Sequence, residues 1–261
     1  MTASSPLLDI QNLTHQFGAN GIGANGNSLT ILADISFAVN PGEFVCVLGP
    51  SGCGKSTLLS LLAGFLTPTQ GRILMNGQPI RQPGADRCVI FQEDALFPWL
   101  TVEENIAFGL WAGGMDKAAA MKAVDRFLDL VGLAEFRTYL PREISGGMKQ
   151  RVALARVLVL KPQVLLMDEP FGALDAQTRE NMQDLLLSLW QQFHHTIVFV
   201  THDVREALLL ADRILLLGGK PGSLKQQIPM TLDRPRRTES SDFIKCYKDL
   251  HDDLQGSRVR S

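Results

Sequence analysis

Apolar residues along this chain follow two rhythms. Short apolar runs at 43–48, 88–91, 164–167 and 196–200 have the length of buried strands, and residues 7–13 and 29–39 also read as strands. Residues 116–131 instead repeat apolar side chains at Ala120, Val124, Phe127, Leu128 and Val131, with Asp116 placed to cap a helix and Gly132 to end it. A second helix is predicted after Asp175, carrying Met182, Leu185, Leu186, Leu189, Trp190 and Phe193 on one core-packing face. Further helices are expected at 102–110 and from 148 to about 160, where Pro162 stops the chain. Residues 72–75 make a strand closed by Asn76-Gly77, a pair suited to the two positive φ values of a type I′ turn. The chain therefore alternates strand and helix, becomes mainly helical in its middle and then alternates again, the pattern of an α/β protein.

One strand-to-helix junction carries chemistry. Gly49-Pro50-Ser51-Gly52-Cys53-Gly54-Lys55-Ser56-Thr57 follows the 43–48 strand and opens a helix that continues through 58–63. Gly49, Gly52 and Gly54 permit positive φ and put no side chain in the way, so successive N–H groups can line one concavity for an anion. The helix N-terminus adds its positive dipole end, Lys55 supplies a point charge for outer phosphates, and the Ser56 hydroxyl is placed to ligate Mg²⁺. These features together predict a bound nucleoside triphosphate.

Other polar residues stand where strands end. Asp168-Glu169-Pro170 closes the 164–167 run; beside a triphosphate, Asp168 would hold Mg²⁺ and Glu169 would face the attacking water. Without a phosphate loop the pair would read as solvated loop acids. Gln92 ends the 88–91 strand and His202 follows the 196–200 strand, so three strand ends offer polar groups to one sheet edge. Taken alone, Gln92 is a loop residue and His202 a helix-capping neighbour or a satisfied surface histidine. Ser145-Gly146-Gly147 is either a plain N-cap for the next helix or a second anion site. Phe17, just before a Gly- and Asn-rich connection at 18–27 expected to be an exposed loop, is either a core ring or an aromatic that stacks on a purine.

Composition narrows the class. At 261 residues the chain suits one large α/β domain or a core with an insertion. Its 25 basic and 27 acidic residues sum to −2, which offers no electrostatic footprint for nucleic acid. Cys46, Cys53, Cys88 and Cys246 show no paired spacing and read as reduced thiols of a cytoplasmic protein. Residues 1–8 have no basic or apolar leader, and no stretch reaches the roughly 18 apolar residues of a membrane span, so the chain is expected neither to cross a membrane nor to be secreted.

The ordered set of phosphate loop, Gln92, Ser145-Gly146-Gly147-Met148-Lys149-Gln150, Asp168-Glu169, Ala173-Leu174-Asp175 and His202 resembles the nucleotide-binding domain of ATP-binding cassette (ABC) transporters. The resemblance implies a P-loop NTPase fold: a RecA-like core with a mainly parallel sheet, an antiparallel β subdomain, and an α-helical subdomain at about 93–160. The domain would span 7–220, followed by a C-terminal extension at 221–261. ATP and Mg²⁺ are the implied ligands. By the resemblance, residues 49–57 cradle the phosphates, Phe17 stacks on adenine, and Ser56, Asp168 and Gln92 serve the metal. Glu169, His202 and Gln92 serve catalysis, with Gln92 sensing the γ-phosphate for a membrane partner and His202 acting as its switch. Ser145, Gly146 and Gly147 would contact the ATP held by a second subunit in a head-to-tail dimer, where Asp175 also makes contact. The family usually has Gln where this chain has Met148; phosphate contact comes from the serine and glycine backbone, so ATP binding should survive while one cross-dimer amide is lost.

Residues 83–87, 96–102, 173–179, Met182-Gln183 and Lys220-Pro221-Gly222 are most similar to ATPase subunits of importers for taurine, alkanesulfonates and nitrate. That similarity implies integral-membrane permease subunits, a periplasmic or lipid-anchored substrate-binding protein, and a peripheral place on the cytoplasmic face of the inner membrane. Phe97-Pro98-Trp99 reads either as an exposed aromatic pair for the permease or as packing of a helical insertion. The tail containing Arg234-Pro235-Arg236-Arg237 reads as a regulatory segment or as a short strand and helix with a frayed end. The competing class is a soluble cassette ATPase switch with no membrane partner, but such proteins resemble tandem cassettes or carry long coiled-coil insertions. A phosphate-loop kinase would leave Ser145-Gly146-Gly147 and His202 without a role.

Overall fold

The computed structural model describes residues 5–18, 28–92 and 94–259, so beyond Gly18 the connection expected at 18–27 lies outside the described residues. The elements in chain order are β1 (Leu8–Phe17), β2 (Leu29–Val39), β3 (Phe44–Leu48), α1 (Lys55–Ala63), β4 (Gln70–Met75), β5 (Gln78–Pro79), β6 (Arg87–Ile90), α2 (Val102–Ala112), α3 (Lys117–Leu130), α4 (Gly146–Leu158), β7 (Val164–Asp168), α5 (Ala176–Phe193), β8 (Thr196–Thr201), α6 (Val204–Leu210), β9 (Arg213–Gly218), β10 (Ser223–Pro229) and α7 (Ser241–Val259). They divide between two compact units, residues 1–84 with 195–261, and residues 85–194.

In the first unit, β2, β1, β4 and β5 form an antiparallel sheet in that order. Leu8 opposes Val39 at one end of the β1–β2 pair and Phe17 opposes Leu29 at the other. Asn76 and Gly77 hold φ of 51° and 75° between β4 and β5, as a type I′ turn requires. Beside this sheet, β3 lies parallel between β8 and β9, and β10 pairs antiparallel with β9. All five residues of β3 and all six of β8 are buried, which is why both read as unbroken apolar runs. Helix α6 packs on β3 and β8, and α7 packs on α6 and β9.

The tail thus forms a strand and a helix, and its arginines have structural work. Arg236 donates to the carbonyls of Leu208, Leu209 and Ala211, and Arg234 bonds Asp212 and the Leu210 carbonyl. Guanidinium groups thereby satisfy the carbonyls that the end of α6 leaves open. Burial and the neighbouring Arg234 push the Arg236 guanidinium down to about 10, which still leaves it charged at neutral pH.

In the second unit, β6 and β7 pair in parallel, and α2 packs on α3 and α4. Asp116 caps α3 by accepting from the Ala118 and Ala119 amides, and Gly132 turns out of the helix region at φ 67°. Three expectations need correction. The 88–91 run is only half-buried: the strand ends at Ile90 and Phe91 is exposed, because β6 pairs with β7 along one side. Helix α4 begins at Gly146 rather than 148, since Ser145 caps it and the two glycines form its first turn. On α5 the buried face is Met182, Gln183, Leu186 and Leu189, while Leu185, Trp190 and Phe193 are only partly covered.

Candidate functional site

Phosphate-loop geometry follows from tight packing behind it. A Cβ on Gly49 would lie 2.7 Å from the Leu217 carbonyl oxygen and 2.8 Å from Cys53 Sγ, so only glycine fits there. Gly54, at φ 95°, backs onto Leu32 and Ile31 of β2, where an added Cβ would come within 2.5 Å of Leu32 Cδ2. Gly54 also occupies the N-cap of α1 without a side-chain cap, and no acidic residue stands in the first turn. The helix's leading N–H groups are therefore left without a capping side chain, the condition for holding an anion.

Lys55 is buried, and its Nζ donates to the Gly49 and Pro50 carbonyls at 2.9 and 3.2 Å. The ammonium is thus folded across the mouth of its own loop. Ser56 is exposed in the first turn, Thr57 is half-buried and Ser51 is exposed. Residues 219–222 complete this arrangement in a way the chain's local pattern does not reveal. Gly222 forms a parallel bridge with Leu32, and a Cβ on it would lie 1.9 Å from the Cys53 carbonyl oxygen. The Lys220-Pro221-Gly222 segment, read from sequence as a subfamily mark, is a wedge packed against the phosphate loop.

Two more predicted residues belong to this unit. His202 is exposed directly after the buried Thr201, whose Oγ1 donates to Glu206 Oε2 at 2.6 Å. Asp203 then caps α6 by accepting from the Arg205 and Glu206 amides, so the histidine stands between two anchored neighbours. Phe17 is 45% exposed at the end of β1, which rules out the core reading of its ring.

The second unit carries the remaining candidates. Asp168 ends β7 half-buried, and Glu169 follows at φ 44°, a left-handed conformation that costs an L-residue about 1–3 kcal/mol. The turn is closed by the Gly172 amide donating to the Glu169 carbonyl at 3.1 Å. Gln92 is brought to the same turn: its Nε2 lies 3.6 Å from where a Cβ on Gly172 would sit, and its carbonyl accepts from Gln150 at 3.5 Å. Ser145 caps α4, its Oγ accepting from the Met148 amide at 3.3 Å. A Cβ on Gly146 would meet nothing within 4 Å, whereas one on Gly147 would lie 2.5 Å from Thr178 Cγ2 on α5. One glycine of the pair leaves open space and the other permits helix packing. Asp175 is exposed and caps α5 through the Thr178 amide; hydrogen bonds from the Thr178 side chain first and its amide second pull the carboxyl below the usual range.

The aromatic segment also needs correction. Trp99 is 70% exposed, but Phe97 is half-buried, packed on Phe108 at 4.4 Å with the Arg156 guanidinium over its ring. It is one exposed indole with a packed base, not an exposed pair.

The donor chemistry suits Mg²⁺. In the first unit Ser56 offers a hydroxyl oxygen, and in the second Asp168 and Gln92 offer carboxylate and amide oxygens; each is a hard donor of the type Mg²⁺ takes. Among the described residues no three His, Cys, Asp or Glu are grouped to hold a metal by themselves. Cys46 is a free thiol that burial pushes well above its ordinary range, which keeps it protonated and inert.

A buried parallel strand, a glycine-rich loop and an uncapped helix with Lys55 at its start define a P-loop nucleoside triphosphatase. The family model described as "ABC transporter" matches residues 32–172, more than half of the chain. The nitrate import ATP-binding protein NrtD of Synechocystis is 45% identical over 242 residues, covering 93% of this chain and 89% of that protein. The taurine import ATP-binding protein TauB of Roseobacter denitrificans is 49% identical over 220 residues, covering 84% and 81%. Among solved structures, the dimeric post-hydrolysis state of the ATP-binding cassette MJ0796 bound to ADP and Pi superposes with a TM-score of 0.73 at 30% identity, covering 87% of this chain and 100% of that one. The chain belongs to the ABC transporter family and is an ATPase of that family. No described helix is long and apolar enough to cross a membrane.

Proposed function

We propose that the chain is the ATP-hydrolysing subunit of an importer, working as a head-to-tail dimer that couples ATP binding and hydrolysis to uptake of a small anionic or zwitterionic solute. Taurine, an alkanesulfonate and nitrate are the solutes in view. Residues 7–220 form the nucleotide-binding domain, with a helical subdomain at about 93–160 and an extension at 221–261. Integral-membrane permease subunits and a periplasmic or lipid-anchored substrate-binding protein complete the assembly, with the ATPases peripheral on the cytoplasmic face of the inner membrane.

The observation that carries the reading is Lys55, a buried ammonium held against two loop carbonyls at an uncapped helix start. Phosphate oxygens replace those carbonyls as its partners, turning neutral acceptors into charged ones. Phe17 presents an exposed face for adenine, and the Gly49 to Thr57 loop takes the phosphates. Mg²⁺, when bound, neutralises charge on the transferring phosphate; Ser56, Asp168 and Gln92 would hold it. Glu169 orients the attacking water and accepts its proton, while His202 and Gln92 contact the γ-phosphate. Ser145 with the Gly146 and Gly147 amides serves the nucleotide of the other subunit, and Asp175 lies at the contact between subunits. The names of the relatives support the importer half of the reading.

Uptake of labelled taurine, an alkanesulfonate and nitrate by the host strain tests the proposal, with the native chain and with Lys55→Ala. Uptake of one solute should collapse in the variant while the protein stays expressed and membrane-associated. Unchanged uptake of all three would overturn the solute assignment.

A further inference from the structure

Two residues before Phe17, on the same face of β1, His15 is 6% exposed while Phe17 is 45% exposed. Their rings meet edge to face, with centroids 4.8 Å apart and planes at 89°. His15 Nδ1 donates to the Thr67 carbonyl at 3.1 Å; a carbonyl can only accept, so this nitrogen carries the proton. Thr67 lies in the link between α1 and β4, and the strand around His15 is tied to the same link. The Thr69 amide donates to the Thr14 carbonyl at 2.9 Å, and the Gln16 amide donates to Thr69 Oγ1 at 3.0 Å. The imidazole is therefore fixed at its backbone and at one ring nitrogen, and a fixed ring is set against an exposed one.

We propose that His15 is a positioning residue for nucleotide binding, holding the Phe17 ring in the plane that stacks on the base. The proposal rests on the reading of Phe17 as the base-stacking aromatic. An exposed phenylalanine samples several rotamers, and stacking uses one of them; a neighbour that selects that rotamer beforehand lowers the entropic cost of binding. Packing alone does not account for a histidine here. Its Nε2 is buried with no hydrogen-bond partner among the described residues, a cost that an apolar side chain would avoid. The imidazole supplies what an aliphatic residue lacks, an aromatic partner for Phe17 and a donor for Thr67. Edge-to-face pairs contribute enough beyond burial to change an affinity about two- to tenfold.

The test compares ATP with tripolyphosphate, which has no base, as ligands of the full chain, and adds steady-state ATPase kinetics. His15→Ala should raise the ATP Kd and KM about two- to tenfold, leave kcat at saturating ATP and the tripolyphosphate Kd unchanged, and add nothing to Phe17→Ala in the double variant. His15→Phe, which keeps an aromatic neighbour, should recover most of the ATP affinity; His15→Leu fills the same space without an aromatic partner and replaces His15→Ala if that variant does not fold. Equal weakening of ATP and tripolyphosphate, or losses that add in the double variant, would overturn the proposal. So would undiminished ATP affinity in His15→Ala and His15→Leu while Phe17→Ala binds weakly. Undiminished ATP affinity in Phe17→Ala would instead remove the base-stacking reading, and the proposal with it.

Discussion

Glu169 shows how much one residue's backbone contributes. Its identity and place after an apolar run were readable locally, because a carboxylate pair at a strand end gains a use in a chain that also carries a phosphate loop. Its positive φ was not readable, since that depends on the turn closed by the Gly172 amide. Strain of this kind persists only where the surroundings hold it, and here it sits at the proposed water-activating carboxylate. Glu169→Gln is expected to keep ATP binding and to lower steady-state turnover by roughly two to four orders of magnitude, as loss of a general base does. Near-normal hydrolysis by the purified variant would remove Glu169 from that role. Ser145 was legible as a cap because capping is a short-range bond. The division between Gly146 and Gly147 was not, because it depends on Thr178, far along the chain on α5.

Among the elements, the phosphate loop is the one whose surroundings matter most. Its own glycines were legible, but what lies against it came from β2 and from the segment joining β9 to β10. Gly222 belongs to neither flank of the loop in sequence, yet it bridges Leu32 and excludes any side chain beside the Cys53 carbonyl. Gly222→Ala must displace that carbonyl, and overpacking of this kind costs about 1–3 kcal/mol. If half of that cost falls on the loop, ATP affinity drops about two- to tenfold. An ATP titration of the purified variant checks this, and an unchanged Kd would mean the wedge leaves loop shape alone. Boundaries of α3 were legible because Asp116 and Gly132 punctuate it. The shifted face of α5 was not, because Gln183 is buried by its neighbours despite a polar side chain.

For the whole molecule, family membership gives the ATPase activity and the charge balance offers no footprint for nucleic acid, but neither names a partner. If ATP turns a mostly open dimer into a mostly closed one, it must favour the closed state by about 5.5 kcal/mol. In the proposed head-to-tail dimer, charge-assisted contacts at two shared γ-phosphate sites would be the source of that difference. The importer reading further predicts that the chain co-purifies with integral-membrane permease subunits from detergent-solubilised membranes; recovery only as a soluble monomer would favour the ATPase switch instead. From sequence alone came the α/β class, the triphosphate loop, the order of the strand-end polar groups and the family. All of these are written in short segments or in their order, and hydrogen bonding and periodicity act over a few residues. Tertiary structure alone decided that Gly222 wedges the loop, that Thr67 anchors His15 beside Phe17, that Gln92 meets the turn after Glu169, and that Arg236 closes α6. Those contacts join residues dozens of positions apart, and chain folding, with no local signature, is what brings them together.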